Sequence, residues 1–333
     1  MKKVKIADLF AGIGGTRLGF DRVFGDTAET VYISEIDPYA RKTYFANFDT
    51  GAAKIDFDIT KADEKVVPEF DICLAGFPCQ AFSTAGKREG FEDNYRGVCR
   101  GTLFMDMMRI CEKVRPKVIF CENVKGLVIH DKGRTFEVIR NAFKELGYKV
   151  HYKVLNSKDY GLAQNRERIY LVCFRDDISD DGFEFPEPLN RKVTIADIME
   201  DAPIKVKYYM GSAYWKSLRE RTARNKEAGN EYGYVIRDVQ GISGTLMSGG
   251  MGRERNLIVD SRPHEKETSA KIKGGINDDD IRRLTPRECA RLQGFPDDFK
   301  MPVADTHLYK QFGNTVSINV IERIAERIKE VIE

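Results

Sequence analysis

A chain of 333 residues is long enough for one large domain and a smaller one. Hydrophobic residues at 42% and charged residues at 32% exclude a disordered chain, no run approaches the ~20 apolar residues of a membrane span, and the start MKKVKIADLF lacks the cleavage pattern of a signal peptide. The net charge of +2 is uneven: 14 Lys/Arg against 8 Asp/Glu between residues 205 and 275 put +6 there and −4 on the remainder, which fits either a module facing a polyanion or a solvated surface.

In chain order, KVKIADLF reads as a strand and is followed by an amphipathic helix at 16–24. TVYISEI is the next strand, and Pro38 suits the first turn of a helix at 38–48. FDICLAGF and KVIFCENV are strands separated by a helix at 103–114. A helix at 134–146 stops at Gly147, and HYKVLNS and RIYLVCF complete the series. Nearly continuous Val/Ile/Phe runs suit strands buried on both faces. Their alternation with helices predicts an α/β fold with a doubly wound, mostly parallel sheet, Rossmann-like, whose ligands sit at the carboxyl ends of the strands. Residues 10–15, Glu35, residues 77–80 and residues 122–124 all follow strands.

After FEFPEPLN the pattern is lost and Gly, Arg, Lys and Tyr increase. The expected division is a catalytic domain at 1–188, a smaller loop-rich domain at 189–283, a hinge and connecting segment at 284–312, and a C-terminal helix at 313–333 that returns to the first domain.

Seven cysteines (Cys73, Cys79, Cys99, Cys111, Cys121, Cys173 and Cys289) include no CxxC pair, which suggests reduced thiols in a cytosol-like compartment. Four histidines show no metal-ligand spacing with them, so no metal is expected.

Four segments carry chemistry. DLFAGIGGTRLGF places Gly12, Gly14 and Gly15 between a strand and a helix, and Glu35 ends the second strand about 20 residues on. A glycine turn plus an acid able to accept from two ribose hydroxyls suggests an adenosine-containing cofactor; a plain tight turn is the alternative. In GFPCQAFSTAG, Cys79 follows Pro78 where a strand gives way to a loop, so its sulfur can face the ligand crevice. Glu122 ends the apolar strand KVIF, where burial should raise its pKa and suit it to donate a proton; a salt-bridged structural acid is the alternative. In AQNRERIYLV, Arg166 and Arg168 alternate on one face and would place a planar acid, clamp a phosphate or lower a thiolate pKa, unless they are an ordinary charged strand edge.

These segments, in this order and with TPRECARLQGFPDDF and QFGNTVSINVIERIA after them, resemble the DNA cytosine-C5 methyltransferase family, of the bacterial restriction-modification type. The resemblance implies S-adenosyl-L-methionine as cofactor and S-adenosyl-L-homocysteine as product. Phe10 would pack on the adenine, Gly12, Gly14 and Gly15 would admit the methionine part, and Glu35 would bind the ribose. Asp58 and Ile59 would meet the adenine edge, and Ile36, Pro78 and Asn314 would complete the pocket. The chain has GNT where the family usually has GNS, and Ile36 where an aromatic is frequent. Cys79 would add to C6 of cytosine, Glu122 would bond N3 and the 4-amino group, Arg168 would hold the base O2 and Glu122, and Arg166 would support the nucleotide. The target base must leave the duplex stack, and Gln80, Ser83 and the loop through Arg100 would close over it.

The resemblance also makes 189–283 a target-recognition domain. Its sequence looks like the branch that methylates CCGG; the GN-x-x-GY portion also resembles enzymes acting on CC-N-GG. Thr245 would grip the flipped site, and Arg253 and Arg255 would read guanines or contact phosphates. The implied partner is double-stranded DNA, acted on by a monomer in the bacterial cytoplasm. A tRNA-methylating relative of the same fold and a cofactor-binding regulator without activity are the other readings. Intact Cys79, Glu122 and Arg168 argue against the regulator.

Overall fold

The structure is a computed structural model that describes residues 3–78, 102–230, 232–249, 254–265 and 275–333, together with the backbone of 94–95 and 98–99. Seven strands form the main sheet: β1 (Val4–Leu9), β2 (Ala28–Ser34), β3 (Lys54–Asp56), β4 (Ile72–Ala75), β5 (Val118–Val124), β6 (Tyr148–Asn156) and β7 (Glu167–Arg175). Their order is β3-β2-β1-β4-β5-β7-β6.

Successive side chains of a strand point to opposite faces, and both faces are covered here. On one face, Ala7, Leu9, Cys73, Ala75, Ile119, Cys121, Ile169 and Leu171 pack with α3 (Thr102–Val114) and α4 (Arg134–Glu145). On the other, Ile6, Ile72, Leu74, Val118, Phe120, Tyr170 and Val172 pack with α1 (Gly15–Phe24) and the C-terminal α8 (Ile318–Ile332). Two buried faces explain why the strands read as unbroken apolar runs rather than alternating ones. The approach of α1 to α8 needs Gly19, because a Cβ there would lie 2.5 Å from Ile321 Cγ2.

Two features depart from the expected series. The short edge strand β3 was not foreseen; three half-buried residues carry no periodic signal. β7 runs antiparallel to both β5 and β6 and is inserted between them. The segment 157–166 is too short to carry a crossover, so the chain must turn back beside the strand it has just left.

The second half is not loop throughout. It holds α5 (Ser212–Glu227), at 16 residues the longest helix among the described residues. Only Trp215 and Leu218 of that helix are buried, too sparse a stripe to read as amphipathic. They form a small core with Met210, Leu257 of β8 (Leu257–Val259) and Ile281 of β9 (Ile281–Arg283). A separate cluster joins Ile195, Ile198, Leu246 and Ile258 to Ile13, Ala163 and Leu284, so the two halves share apolar packing. α6 (Pro286–Leu292) opens with a capping box between Thr285 and Glu288, and α7 (Asp305–Asn314) precedes α8.

The described cysteines, Cys73, Cys111, Cys121, Cys173 and Cys289, are buried free thiols. Among the described residues no group of His, Cys, Asp and Glu is placed to hold a metal, and no helix is long and apolar enough to cross a membrane.

Candidate active site

The carboxyl ends of β1, β2, β4 and β5 converge on one edge of the sheet. The turn after β1 is left-handed at Phe10 (φ 55°), Gly12 (φ 57°) and Gly14 (φ 83°). For a bulky residue such as Phe10 this is a strained conformation, held by its surroundings. The three glycines serve different ends. A Cβ on Gly14 would overlap the Phe48 ring, and one on Gly15 would overlap Thr315 Oγ1 and lie 3.1 Å from Val316 Cγ2. Only Gly12 faces open space, where a Cβ would meet nothing nearer than Phe10 O at 3.9 Å. Tight packing within the protein therefore accounts for Gly14 and Gly15, and the room beside the turn belongs to Gly12.

Glu35 closes this turn. One carboxylate oxygen accepts from Gly12 N–H at 2.8 Å and the other from Asp37 N–H at 2.7 Å. Burial raises its pKa, and the two backbone donors oppose that rise. Each oxygen keeps acceptor capacity for a further donor, as a ribose diol would require. Ile36 is 65% exposed and Phe10 half-buried, so apolar surface flanks the acid. Asp58 accepts from Thr60 N–H and Thr60 Oγ1–H, which hold its carboxyl below the usual range. The Ile59 side chain lies in the core, leaving only its backbone for contact with a ligand. Asn314, the last residue of α7, is exposed next to Thr315.

The residues expected to react lie one strand further along. Pro78 is half-buried three residues past the end of β4. Phe77 O just before it accepts from Asn123 Nδ2 at 3.2 Å, which ties the ends of β4 and β5 together. Asn123, buried beside Glu122, makes this tie and was left unassigned by sequence reading, although it stands inside the quoted CENVKGL.

Val124 pairs with Arg168 and Glu122 with Tyr170, so Glu122 and Arg168 are diagonal neighbours on one face. Arg168 Nε lies 3.2 Å from Glu122 Oε1, with the two side chains 13% and 11% exposed. Burial raises the Glu122 pKa, and Arg168 and then Arg166 oppose it. The expected upward shift is therefore present, as is the salt bridge that was its alternative. Glu122 Oε1 is buried, and among the described residues it has no hydrogen-bond partner despite the ion pair.

Arg166 departs from the paired-arginine reading. It precedes β7 and is 2% exposed, and its guanidinium donates to Leu246 O at 3.1 Å, Gly313 O at 3.2 Å and Thr315 O at 2.6 Å. It thus fastens the start of β7 to the second half and to the turn around Asn314. Thr245 Oγ1 donates to Asn165 O at 2.7 Å, one residue before Arg166. The Arg255 guanidinium lies over the Tyr232 ring, 5.7 Å from its centroid. Cys79, Gln80, Ser83, Arg253 and, apart from the backbone of 94–95 and 98–99, the loop through Arg100 lie outside the described residues.

The model of the family described as C-5 cytosine-specific DNA methylase matches residues 4–330. The chain is 47% identical to the Type II methyltransferase M.HpaII of Haemophilus parainfluenzae, over 99% of this chain and 90% of that protein. It is 43% identical to M1.ScrFI of Lactococcus lactis subsp. cremoris (99% of this chain, 79% of that protein) and 40% identical to M.HhaI of Haemophilus parahaemolyticus (98% and 94%). The crystal structure of S. pombe Dnmt2 methyltransferase superposes with a TM-score of 0.73 at 18% identity, covering 99% of this chain and all of that one, a likeness of fold alone. Matched almost from end to end, the chain belongs to the C-5 cytosine-specific DNA methylase family and is a DNA cytosine-5 methyltransferase.

Proposed function

We propose that this enzyme methylates C5 of a cytosine flipped out of a CCGG site in duplex DNA, through a temporary bond from Cys79 to C6. It would act as a monomer in the bacterial cytoplasm, as the protective partner of a restriction enzyme. The observation that carries the reading is the buried Glu122–Arg168 pair at the mouth formed by β4, β5 and β7. S-adenosyl-L-methionine supplies an electrophilic methyl group on sulfur and leaves as S-adenosyl-L-homocysteine. Phe10, Gly12, Glu35, Ile36, Asp58, Pro78, Asn314 and the Ile59 backbone would hold it; the exposed apolar flank and the two-point carboxylate at Glu35 fit its adenosine.

C5 of cytosine is a weak nucleophile. Addition of the Cys79 thiolate to C6 pushes the ring's electron pair toward C5 and N3. Glu122, whose pKa burial raises, donates a proton to N3 and accepts from the 4-amino group, which offsets the negative charge and selects cytosine over thymine. Arg168 holds Glu122 in place and contacts the base O2. Once C5 is methylated, loss of its proton reforms the double bond and releases the Cys79 sulfur. Arg166 acts at one remove, by holding β7 and the Asn314 turn together. The basic segment within 189–283 would contact the duplex.

Cys79→Ser should abolish turnover while leaving S-adenosyl-L-methionine binding nearly intact; appreciable activity would defeat the thiolate mechanism. Wild-type protein should form a covalent adduct with DNA carrying 5-fluorocytosine. Transfer to tRNA and not to duplex DNA would overturn the substrate assignment, and bisulfite sequencing of methylated plasmid tests CCGG.

A further inference from the structure

A second arginine of the DNA-facing half is built into the path that leads to the catalytic pair. Residues 235–237 run beside 254–257: Val235 N–H donates to Glu254 O, Leu257 N–H to Val235 O and Arg237 N–H to Leu257 O, at 2.9, 3.0 and 2.7 Å. This pairing sets Arg237 against the turn that carries Arg255 just before β8, and Arg237 Nε donates to Arg255 O at 3.2 Å. The rest of the guanidinium lies over Gly244: a Cβ on Gly244 would overlap Arg237 Nη2 and lie 3.3 Å from Arg237 Cζ. Gly244 is fixed in turn by its N–H bond to Asn256 Oδ1 at 2.7 Å.

The next residue, Thr245, bonds Asn165 O, and Ser243 N–H and Asn165 N–H complete the pairing with Ala163 O and Ser243 O at 2.8 and 2.9 Å. The stretch 163–165 runs straight into Arg166 and Arg168. A short route, by packing of the Arg237 guanidinium on Gly244 and then by hydrogen bonds from 243–245 to 163–165, therefore joins it to the strand holding the base-contacting Arg168. Among the described residues no carboxylate lies within ion-pair distance of Arg237, and Nε is its only side-chain donor with a hydrogen-bond partner. Partial burial and the nearby Arg255 charge both disfavour its protonated form. A half-buried guanidinium fixed against Gly244 and bonded to the Arg255 backbone, with no carboxylate beside it, calls for an anion, and a phosphate suits two neighbouring arginines better than a neutral base edge does.

We propose that Arg237, with Arg255, holds a backbone phosphate of the DNA beside the flipped cytosine and so sets the register of the duplex against the active site. This rests on the duplex-DNA reading above. The test is binding of the full chain to a CCGG duplex with S-adenosyl-L-homocysteine over a range of salt, alongside bisulfite sequencing of methylated plasmid. Arg237→Gln should reduce the slope of log Kd against log salt by about one. It should leave the choice of site and the affinity for S-adenosyl-L-homocysteine as in wild type. Arg237→Lys keeps the charge and should keep most of the slope, and it carries the test should the glutamine variant melt early. An unchanged slope in Arg237→Gln, an equal loss of slope in both variants, or methylation spreading to sites with one altered base pair would overturn the proposal. Failure of the wild-type control to bind duplex DNA would instead sink the duplex-DNA reading, which keeps the two failures apart.

Discussion

Arg282 on β9 offers the sharpest test of how the second half is fastened. None of its side chain is exposed. Nε donates to Asp260 Oδ2 at 2.6 Å, and Nη1 and Nη2 donate to the two oxygens of Glu288 at 2.7 and 2.8 Å. One cation thus links the segment after β8 to α6. Burial pushes the Asp260 carboxyl up, but Arg262 and Arg282 override it and hold the pKa at about 2. Arg282→Met keeps much of the volume and deletes the charge. Glu288 would retain Thr285 N–H and Glu200 N–H, and Asp260 would retain Arg262, yet both lose their shared partner in a dry interior. Removing one side of a buried ion pair costs about 3–5 kcal/mol. At about 2 °C per kcal/mol for a chain of this size, the thermal midpoint should fall by roughly 6–10 °C. Adding Glu288→Gln removes a stranded charge while an amide oxygen still accepts from Thr285, so the double variant should regain part of the loss. A depressed carboxyl pKa contributes stability above the unfolded value near ~4, and that contribution fades as pH falls toward 2. The gap between wild type and Arg282→Met should therefore narrow on acidification. Melts followed by circular dichroism from pH 7 to pH 3 measure all of this. A drop below about 2 °C at pH 7, or a double variant losing the sum of the single losses, would refute the reasoning.

Two further expectations follow from the site. Asp8, buried under the glycine turn, accepts from Tyr44 Oη–H at 3.0 Å, and burial lifts its pKa to about 7 against the pull of Arg17 and Tyr44. A carboxyl raised in the folded state binds its proton more tightly there, so stability falls as pH climbs from about 4 to about 7. Asp8→Asn should flatten this fall by up to about 1.4 kcal/mol per pH unit in chemical denaturation; an unchanged slope would refute the assignment. Gly15→Ala should cost about 1–3 kcal/mol through overlap with Thr315 and Val316, and should weaken S-adenosyl-L-methionine binding by shifting the Asn314 turn. Gly12→Ala meets no such clash and should cost only the ~1–2 kcal/mol of a left-handed alanine. Equal losses, or a harmless Gly15→Ala, would mean the turn is not packed as described.

Much of the catalytic half was legible in the chain because local rules act there. Strands buried on both faces must be apolar throughout, and Pro38 and Gly147 mark helix ends by backbone chemistry alone. Glu122 stood out because a carboxylate on an apolar strand is costly without a task or a partner, and the structure supplies Arg168. Spacing says nothing about which distant groups meet. Gly14 and Gly15 read as room for a ligand, and the structure adds a packing demand on them, since a Cβ there would meet Phe48 and Thr315, far along the chain. Arg166 and Arg168 are two residues apart, yet one enters a junction with Leu246, Gly313 and Thr315 while the other pairs with Glu122. The reversal of β7 and the helix α5 were likewise hidden, since the first depends on how strands order themselves and the second on a core of few residues. Periodicity and residue chemistry settle what a segment can be. Burial and pairing over long sequence separations settle what it touches, and these arise only once the whole chain has closed on itself.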